Sequence, residues 1–436
     1  MSSASRILRR ASAGLLVSAA LLTASVFSGC GKKVDENADE DLDLNGTGTQ
    51  KEEDATLHFG GGKGDEALLQ GNLAFLQGDY EAAVTYFSQA AEQGNPEAQY
   101  WLGQCFEEGK GVDKNTSTAA EWYRKAAESF RAAADQGIPE AQYKLGQCFE
   151  EGKGVDKDLN EAIAWWRKAA GQGLAIAQYA MGVCCEYGKG VEKNLKEAIE
   201  WYRNPAEQGY APAQYNLGVC CYYGYGTEQD EQEAEKWFGL AAAQGLADAQ
   251  YMFGVCRFNA KDRTEAAKWF GPAAAQGHAA AQYRYGECRE YGWGGEKDIH
   301  EAVKWYRLAA DQGLAEAQCK LGECCEYGRG GVGKDVVEAA VWYRKAADQG
   351  FAEAQCRLGE CYERGRGVEK DLNEAANWYR KAADQGFAEA QYDLGVCYEY
   401  GRGVEKDIVE AAIWYRKAVD QGNLNAREAL NHLGSE

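Results

Sequence analysis

Cysteine is the residue type with the most chemical capacity in this chain: 15 occur in 436 residues. Fourteen follow Cys30. Nine of them recur at one regular spacing: Cys105, Cys148, Cys184, Cys220, Cys256, Cys288, Cys324, Cys361 and Cys397. Cys185, Cys221 and Cys325 directly follow three of these, and Cys319 and Cys356 stand five residues before two others. A thiol can bridge, ligate a metal or act as a nucleophile. In an exported chain so many would suggest disulfides. Equivalent positions in stacked units, however, lie farther apart than the roughly 7 Å limit for a bridge. No Cys-x-x-Cys pair of the zinc type occurs. The reading the spacing favours is one small buried hydrophobe per unit. Disulfide, metal and redox roles are the alternatives.

Other chemistry is thinly supported. The four histidines, His58, His278, His300 and His432, are scattered, which argues against a histidine metal site or catalytic centre. The loop "GKGVDKD" (152–158) lacks the Gly-Lys-Ser/Thr ending of a phosphate loop. "DKDLNE" (156–161) has Glu161 where a calcium loop needs a turning glycine. No Ser-x-x-Lys is present to build a penicillin-type serine centre. We therefore expect no catalytic residue, no resident metal and no cofactor. A net charge of −21 disfavours nucleic acid and anionic lipid headgroups as partners.

The elements that carry the cysteines are internal repeats. Gln followed by Tyr or Cys recurs at 99, 142, 178, 214, 250, 282, 318, 355 and 391. Most spacings are 36 residues. "WYRKAADQGFAEAQ" stands unchanged at 342–355 and 378–391. Each unit reads as two helices. The first runs through "LGxC" and the second holds "EAxxWYRKAA", with "GxGVxKD" between them. "DLNE" at 158–161 and 371–374 and "NLKE" at 194–197 are capping boxes that start second helices. "QG" ends every second helix, its glycine free to turn left-handed. One glycine recurs inside each first helix, from Gly103 to Gly395, although it costs about 1 kcal/mol against alanine there. Close helix approach explains it, and one tryptophan at a fixed position of each unit, nine such residues with Trp122 the first and Trp414 the last, is the ring expected over these notches. The doubled phrase is thus a seam between neighbours, because a lone helix pair cannot bury its apolar face.

The boundaries follow. Residues 1–30 read as a secretory signal: Arg6, Arg9 and Arg10 precede an apolar run from Ala11 to Phe27. Ser28-Gly29-Cys30 resembles a bacterial lipobox, whose cysteine is lipidated and becomes the mature N-terminus, with Phe27 where leucine is usual. The alternative is an ordinary cleaved signal with an incidental cysteine. Residues 31–65 form an acidic flexible linker with a span of about 30 Å. Residues 66–94 are an N-terminal partial repeat, 95–422 are nine full repeats, and 423–436 are a C-terminal capping segment. The expected location is the cell envelope, exported and lipid-anchored at Cys30, facing the periplasm or on the outer membrane.

The repeat, "AEAQ…LG…Y…GxGVEKD…EAxxWYRKAADQG" as in 388–421, resembles the Sel-one-like repeat family (SLR), α/α repeats related to tetratricopeptide repeats. The resemblance covers nearly all of 66–422. It implies an all-α, right-handed superhelical solenoid of nine to ten helix-turn-helix repeats that serves as a protein-interaction scaffold without catalysis. Some cysteine-rich members join the end of one second helix to the next first helix by a disulfide. Here Ala310 and Ala347 occupy the expected partner positions, so that pairing is absent. Some are linked to β-lactam binding or hydrolysis. That role, or a thiol- or metal-linked envelope protein, is the alternative function.

By analogy with related solenoids, variable positions of the first helices line a concave groove that receives a protein or peptide. The groove is apolar around Met252 and Val255. It turns to alternating charges at Arg284/Glu287, Lys320/Glu323 and Arg357/Glu360. Tyr222, Tyr223 and Tyr225 stand where other units have Glu, Tyr or Gly, and Lys or Arg, "CRFNAKDR" (256–263) loses the glycine turn, and Pro205 and Pro272 interrupt second helices. Either these mark an aromatic docking patch or the repeat has decayed there. The partner-binding candidates are Tyr222, Tyr223, Tyr225, Met252, Val255 and Phe258, with Arg284, Lys320 and Arg357 as polar contacts. One second helix carries seven extra residues, "ESFRAAA" (128–134), nearly two turns, and should project about 10 Å further.

Overall fold

The computed structural model describes residues 64–433. The expected signal segment with Cys30, and the linker up to residue 63, lie outside the described residues. Two compact units divide the described chain, residues 64–249 and 250–433. Among the described residues there are 21 helices and no strand.

The first unit begins with the pair α1 (Asp65–Leu76) and α2 (Tyr80–Glu92), so the shortened leading segment is itself a helix pair. It continues with α3 (Pro96–Glu108), α4 (Thr116–Ala134), α5 (Pro139–Glu151), α6 (Leu159–Gly171), α7 (Ala175–Tyr187), α8 (Leu195–Glu207), α9 (Ala211–Tyr223) and α10 (Glu231–Ala243). The division falls within α11 (Ala247–Asn259). The second unit holds α12 (Arg263–Ala275), α13 (Ala279–Tyr291), α14 (Ile299–Asp311), α15 (Ala315–Tyr327), α16 (Val336–Asp348), α17 (Ala352–Arg364), α18 (Leu372–Asp384), α19 (Ala388–Tyr400), α20 (Ile408–Asp420) and the closing α21 (Leu424–Leu433).

Local signals set the helix ends. At the start of α18, Asp371 Oδ1 accepts the backbone N–H of Asn373 at 2.9 Å and of Glu374 at 3.1 Å. Such a cap contributes on the order of 1 kcal/mol. The second half of the expected capping box does not form. The Asp371 N–H donates instead to the Tyr362 carbonyl at 3.0 Å, across the loop. In several other repeats the glutamate of the box accepts instead from the tryptophan four residues on. Glu338 accepts the Trp342 indole N–H at 3.2 Å, and Glu265 accepts that of Trp269 at 3.2 Å. "QG" behaves as expected, with Gly350 and Gly386 at φ 90° and 91°.

The ring in the glycine notch is the residue after the expected tryptophan: a tyrosine in most repeats, a phenylalanine at Gly218 and Gly254, and Trp166 at Gly146. A Cβ on Gly322 would lie 2.8 Å from the ring of Tyr343, and one on Gly286 would lie 2.6 Å from Tyr306. Tyr343 follows Trp342 by one residue, about 100° further round the helix, and that step aims it at the partner helix. The tryptophans turn to the preceding pair. Trp378 packs with Cys325, Trp342 and Leu358, and Trp414 with Cys356, Tyr379 and Leu394. A lysine one turn on covers the outer ring face, as Lys345 does 3.7 Å above Trp342. The residue after the repeat tryptophan therefore closes each pair, and the tryptophan packs toward the seam.

Glutamine clasps reinforce the seams. Gln318, 5% exposed, donates to the Ala310 carbonyl at 3.1 Å and accepts from Gln349 at 2.8 Å. Gln355 and Gln385 repeat this one pair later at 2.8 Å. These bonds satisfy a buried amide that would otherwise cost about 1–3 kcal/mol.

The irregular repeats keep the architecture. Helix α4 has 19 residues where its counterparts have 13, and Phe130 and Ala134 stay buried, so the added turns remain in phase. Pro205 and Pro272 lie inside α8 and α12, both of which run the usual 13 residues without interruption. The shortened loop turns at Lys261, a non-glycine residue at φ 66°.

Candidate interaction surface

The charged positions expected along the first helices come together in the second unit as a ladder. Arg284 pairs with Glu287 at 2.8 Å on α13. Lys320 on α15 reaches Glu323 at 3.1 Å and, one pair back, Glu290 at 3.4 Å. Arg357 on α17 pairs with Glu360 at 3.6 Å. Arg366 joins Glu326 at 2.5 Å to Glu360 at 3.2 Å, and Arg402 reaches Glu363 at 3.2 Å. Burial works against the Lys320 charge, but Glu323 and Glu290 outweigh it and hold the ammonium above its usual range. The predicted polar contacts thus already have partners within the chain.

Beneath the ladder runs a second row. Tyr306 donates its hydroxyl to Glu290 at 2.6 Å, Tyr343 to Glu326 at 2.9 Å, and Tyr415 to Glu399 at 2.6 Å. In the first unit Tyr123 donates to Glu107 at 2.7 Å. Three helix pairs exchange both members together, the leading one with Phe75 and Phe87 at ring centroids 6.4 Å apart. Phe238 replaces the tyrosine in α10, and Tyr222 replaces the glutamate in α9, with ring centroids 6.2 Å apart. Phe270 and Phe258 make the same exchange in the second unit, where Phe258 packs against the cluster holding Phe270. Tyr222 and Phe258 therefore fill a structural position with an apolar contact. The sequence held this signal: the two substitutions fall in the same repeats.

The remaining aromatic candidates differ in exposure. Tyr223 and Tyr225 are 49% and 44% exposed and stack with centroids 5.4 Å apart. Met252 is buried at 9%, and Val255 is half-buried against Phe270 and its neighbours. Phe258 touches Trp293 at 5.5 Å, with the Arg284 guanidinium 5.7 Å over its ring.

All fourteen cysteines of the described residues are buried, and none is in a disulfide. Burial, opposed by nearby Lys320 and reinforced by Glu290, pushes the Cys324 thiol up to about 12. Burial also pushes the Cys148 thiol up to about 12. Such thiols are poor nucleophiles at neutral pH. Among the described residues one set has the donors for a metal: Cys356, Glu360 and Asp393, with ligand atoms within 4.8 Å of one another. Glu360 there already carries Arg357 and Arg366. Asp393 accepts a long hydrogen bond from the Cys356 thiol at 3.6 Å. Burial first, then the charges of Glu360, Glu363 and Glu389, raise the Asp393 carboxyl to about 7 against that bond.

Tandem helix pairs with buried glutamine clasps and glycine notches define an α/α repeat solenoid. The Sel1 repeat model matches ten consecutive segments from 62–95 to 388–423, and the chain belongs to that family. A protective antigen present in uropathogenic Escherichia coli strains, displaying an SLR fold, is similar at 32% identity and TM-score 0.67, covering 89% of each chain. A Sel1 repeat protein from Oxalobacter formigenes is 33% identical at TM-score 0.51, covering 70% of this chain and 90% of that one. The chitin synthase regulator SKT5 of Saccharomyces cerevisiae shares 37% identity over 73 residues, 15% of this chain and 10% of that protein. DAP3-binding cell death enhancer 1 of Rattus norvegicus shares 48% over 42 residues, 10% of this chain and 8% of that protein. The chain thus spans a tenth or less of the curated relatives it matches. Solenoids of this kind are typically protein-interaction scaffolds and generally non-catalytic.

Proposed function

We propose that this chain is a protein- or peptide-binding scaffold of a bacterial cell envelope. It is held at a membrane by lipid on Cys30 and binds its partner through the groove face of its first helices. The observation that carries the reading is the contrast between the repeated interior and Tyr223 and Tyr225. Most interior positions are filled alike from pair to pair, whereas these two rings stack half-exposed at the end of α9, as Tyr291 and Trp293 stack at the equivalent positions of the second unit. Aromatic side chains of that exposure lose little conformational freedom on docking and dominate interface energetics. In the second unit Val255, Phe258 and Arg284 offer a smaller apolar and cationic contact. The acidic net charge of −21 turns nucleic acid away and favours protein partners with basic groups.

The test is cross-linked capture from the native envelope, with wild type beside a Tyr223→Ala, Tyr225→Ala double variant of matched thermal stability. A partner held by wild type and lost from the variant supports the reading. A partner held equally by both removes these tyrosines from the site. Mass spectrometry of the N-terminal peptide tests the anchor: a diacylglyceryl-modified Cys30 supports it, and an unmodified Cys30 overturns it.

A further inference from the structure

One position of the charge ladder reverses sign. Arg284, Lys320, Arg357 and Asp393 occupy the same site on α13, α15, α17 and α19. The first three are cations, each within 3.6 Å of a carboxylate. Lys320 shows what the site is built to hold. Its ammonium lies between Glu323 on its own helix and Glu290 thirty residues back. Glu363 stands thirty residues before Asp393, so the carboxylate across the seam is kept while the cation is gone, and Val396 replaces the acid that Glu323 and Glu360 supply on their own helices. Asp393 instead brings a further acid among Glu360, Glu363 and Glu389. The cations nearby serve other acids: Arg357 and Arg366 hold Glu360, and Arg402 holds Glu363. Like charges gathered in a part-buried groove cost free energy unless a cation joins them.

We propose that the α17–α19 end of this face is a docking site for a lysine or arginine side chain of a protein or peptide partner. That cation takes the place that Lys320 and Arg357 fill in the earlier repeats. The inference deepens the scaffold reading and rests on it. It commits to a basic segment because charge complementarity sets both encounter rate and register at such a surface. The earlier repeats show, within the same molecule, a basic side chain satisfying this geometry.

The experiment is fluorescence anisotropy on the full chain at pH 8 and low salt, with a labelled twelve-residue peptide of alternating lysine and serine as probe. Asp393→Lys restores the residue class of the earlier repeats and should stay folded, which circular dichroism checks. Asp384→Lys, an equal charge change at the exposed end of α18, is the control for general attraction to an acidic chain. We expect Asp393→Lys to weaken binding at least tenfold, Asp393→Asn to weaken it severalfold, and Asp384→Lys to change it less than twofold. Equal losses in both lysine variants, or none in either, overturn the site. Displacement of the peptide by micromolar zinc, abolished in Cys356→Ser, would make the occupant a metal ion and overturn the basic side chain. Wild type that ignores the peptide yet still captures its envelope partner through Tyr223 and Tyr225 overturns this site while the scaffold reading stands.

Discussion

Tyr222 and Phe238 meet with ring centroids 6.2 Å apart, at the two positions where other repeats place a glutamate and the tyrosine that donates to it. A charged hydrogen bond and an aromatic contact thus occupy the same slot between paired helices. Buried polar pairs are exchanged for apolar ones at little net cost only when both members change together.

That coupling is measurable at Tyr306 and Glu290, which is 8% exposed. Tyr306→Phe should cost about 1–3 kcal/mol, because it leaves a buried carboxylate short of a donor. Adding Glu290→Tyr, which copies the Tyr222 and Phe238 pair, should recover much of the loss. A double-mutant cycle read by urea unfolding checks this, and simple additivity would count against it.

The glycine notch gives a prediction opposite to helix propensity. Alanine is favoured over glycine inside a helix by about 1 kcal/mol. Gly322→Ala should nonetheless destabilise the chain by about 1–3 kcal/mol, since its Cβ would stand 2.8 Å from the Tyr343 ring. Gly171, at the end of α6, has nothing within 4 Å of an added Cβ. Gly171→Ala should be neutral or slightly stabilising. Thermal melts of the two variants separate packing from propensity.

Thiol chemistry should follow burial. Iodoacetamide at pH 8 should label Cys324 and Cys356 at least a hundredfold more slowly in the native chain than after unfolding, because both are buried and hold their protons. Mass spectrometry after timed quenching reads the rate at each site. Rapid native labelling of either would disprove the burial.

Asp393 should make stability depend on pH. Its carboxyl titrates at about 7 in the folded chain and near 4 in the unfolded chain. The groups facing it are Cys356, Glu360, Glu363 and Glu389. A raised carboxyl stabilises fully below the unfolded value and loses that contribution as pH rises through the folded one. Asp393→Asn has no such loss. Its stability relative to wild type should therefore rise by about 1–3 kcal/mol between pH 4 and pH 8 and level off above. Chemical unfolding at four pH values checks the trend, and a flat difference would refute it.

Much of this molecule is written in local spacing. The caps at Asp371 and Asn194, the left-handed glycines of "QG" and the period of 36 depend on residues within one or two turns of each other, so the chain alone specifies helix pairs and their number. Other features join residues far apart or compare neighbours that look equivalent. Trp342 and Tyr343 are both large and apolar, and sequence could not say which enters the notch at Gly322. A rotation of about 100° per residue decides it, and the direction of that rotation is fixed only once the partner helix is in place. The same holds for Met252, which reads as a groove residue and lies buried. It holds also for Lys320 and Glu290, thirty residues apart, whose 3.4 Å ion pair exists only when neighbouring repeats stack. Sequence by itself determined the unit and its repetition, because hydrogen bonds and turns close locally. Tertiary structure alone decided which side chains are spent on the seams and which remain for a partner, because burial is a property of the stacked neighbour.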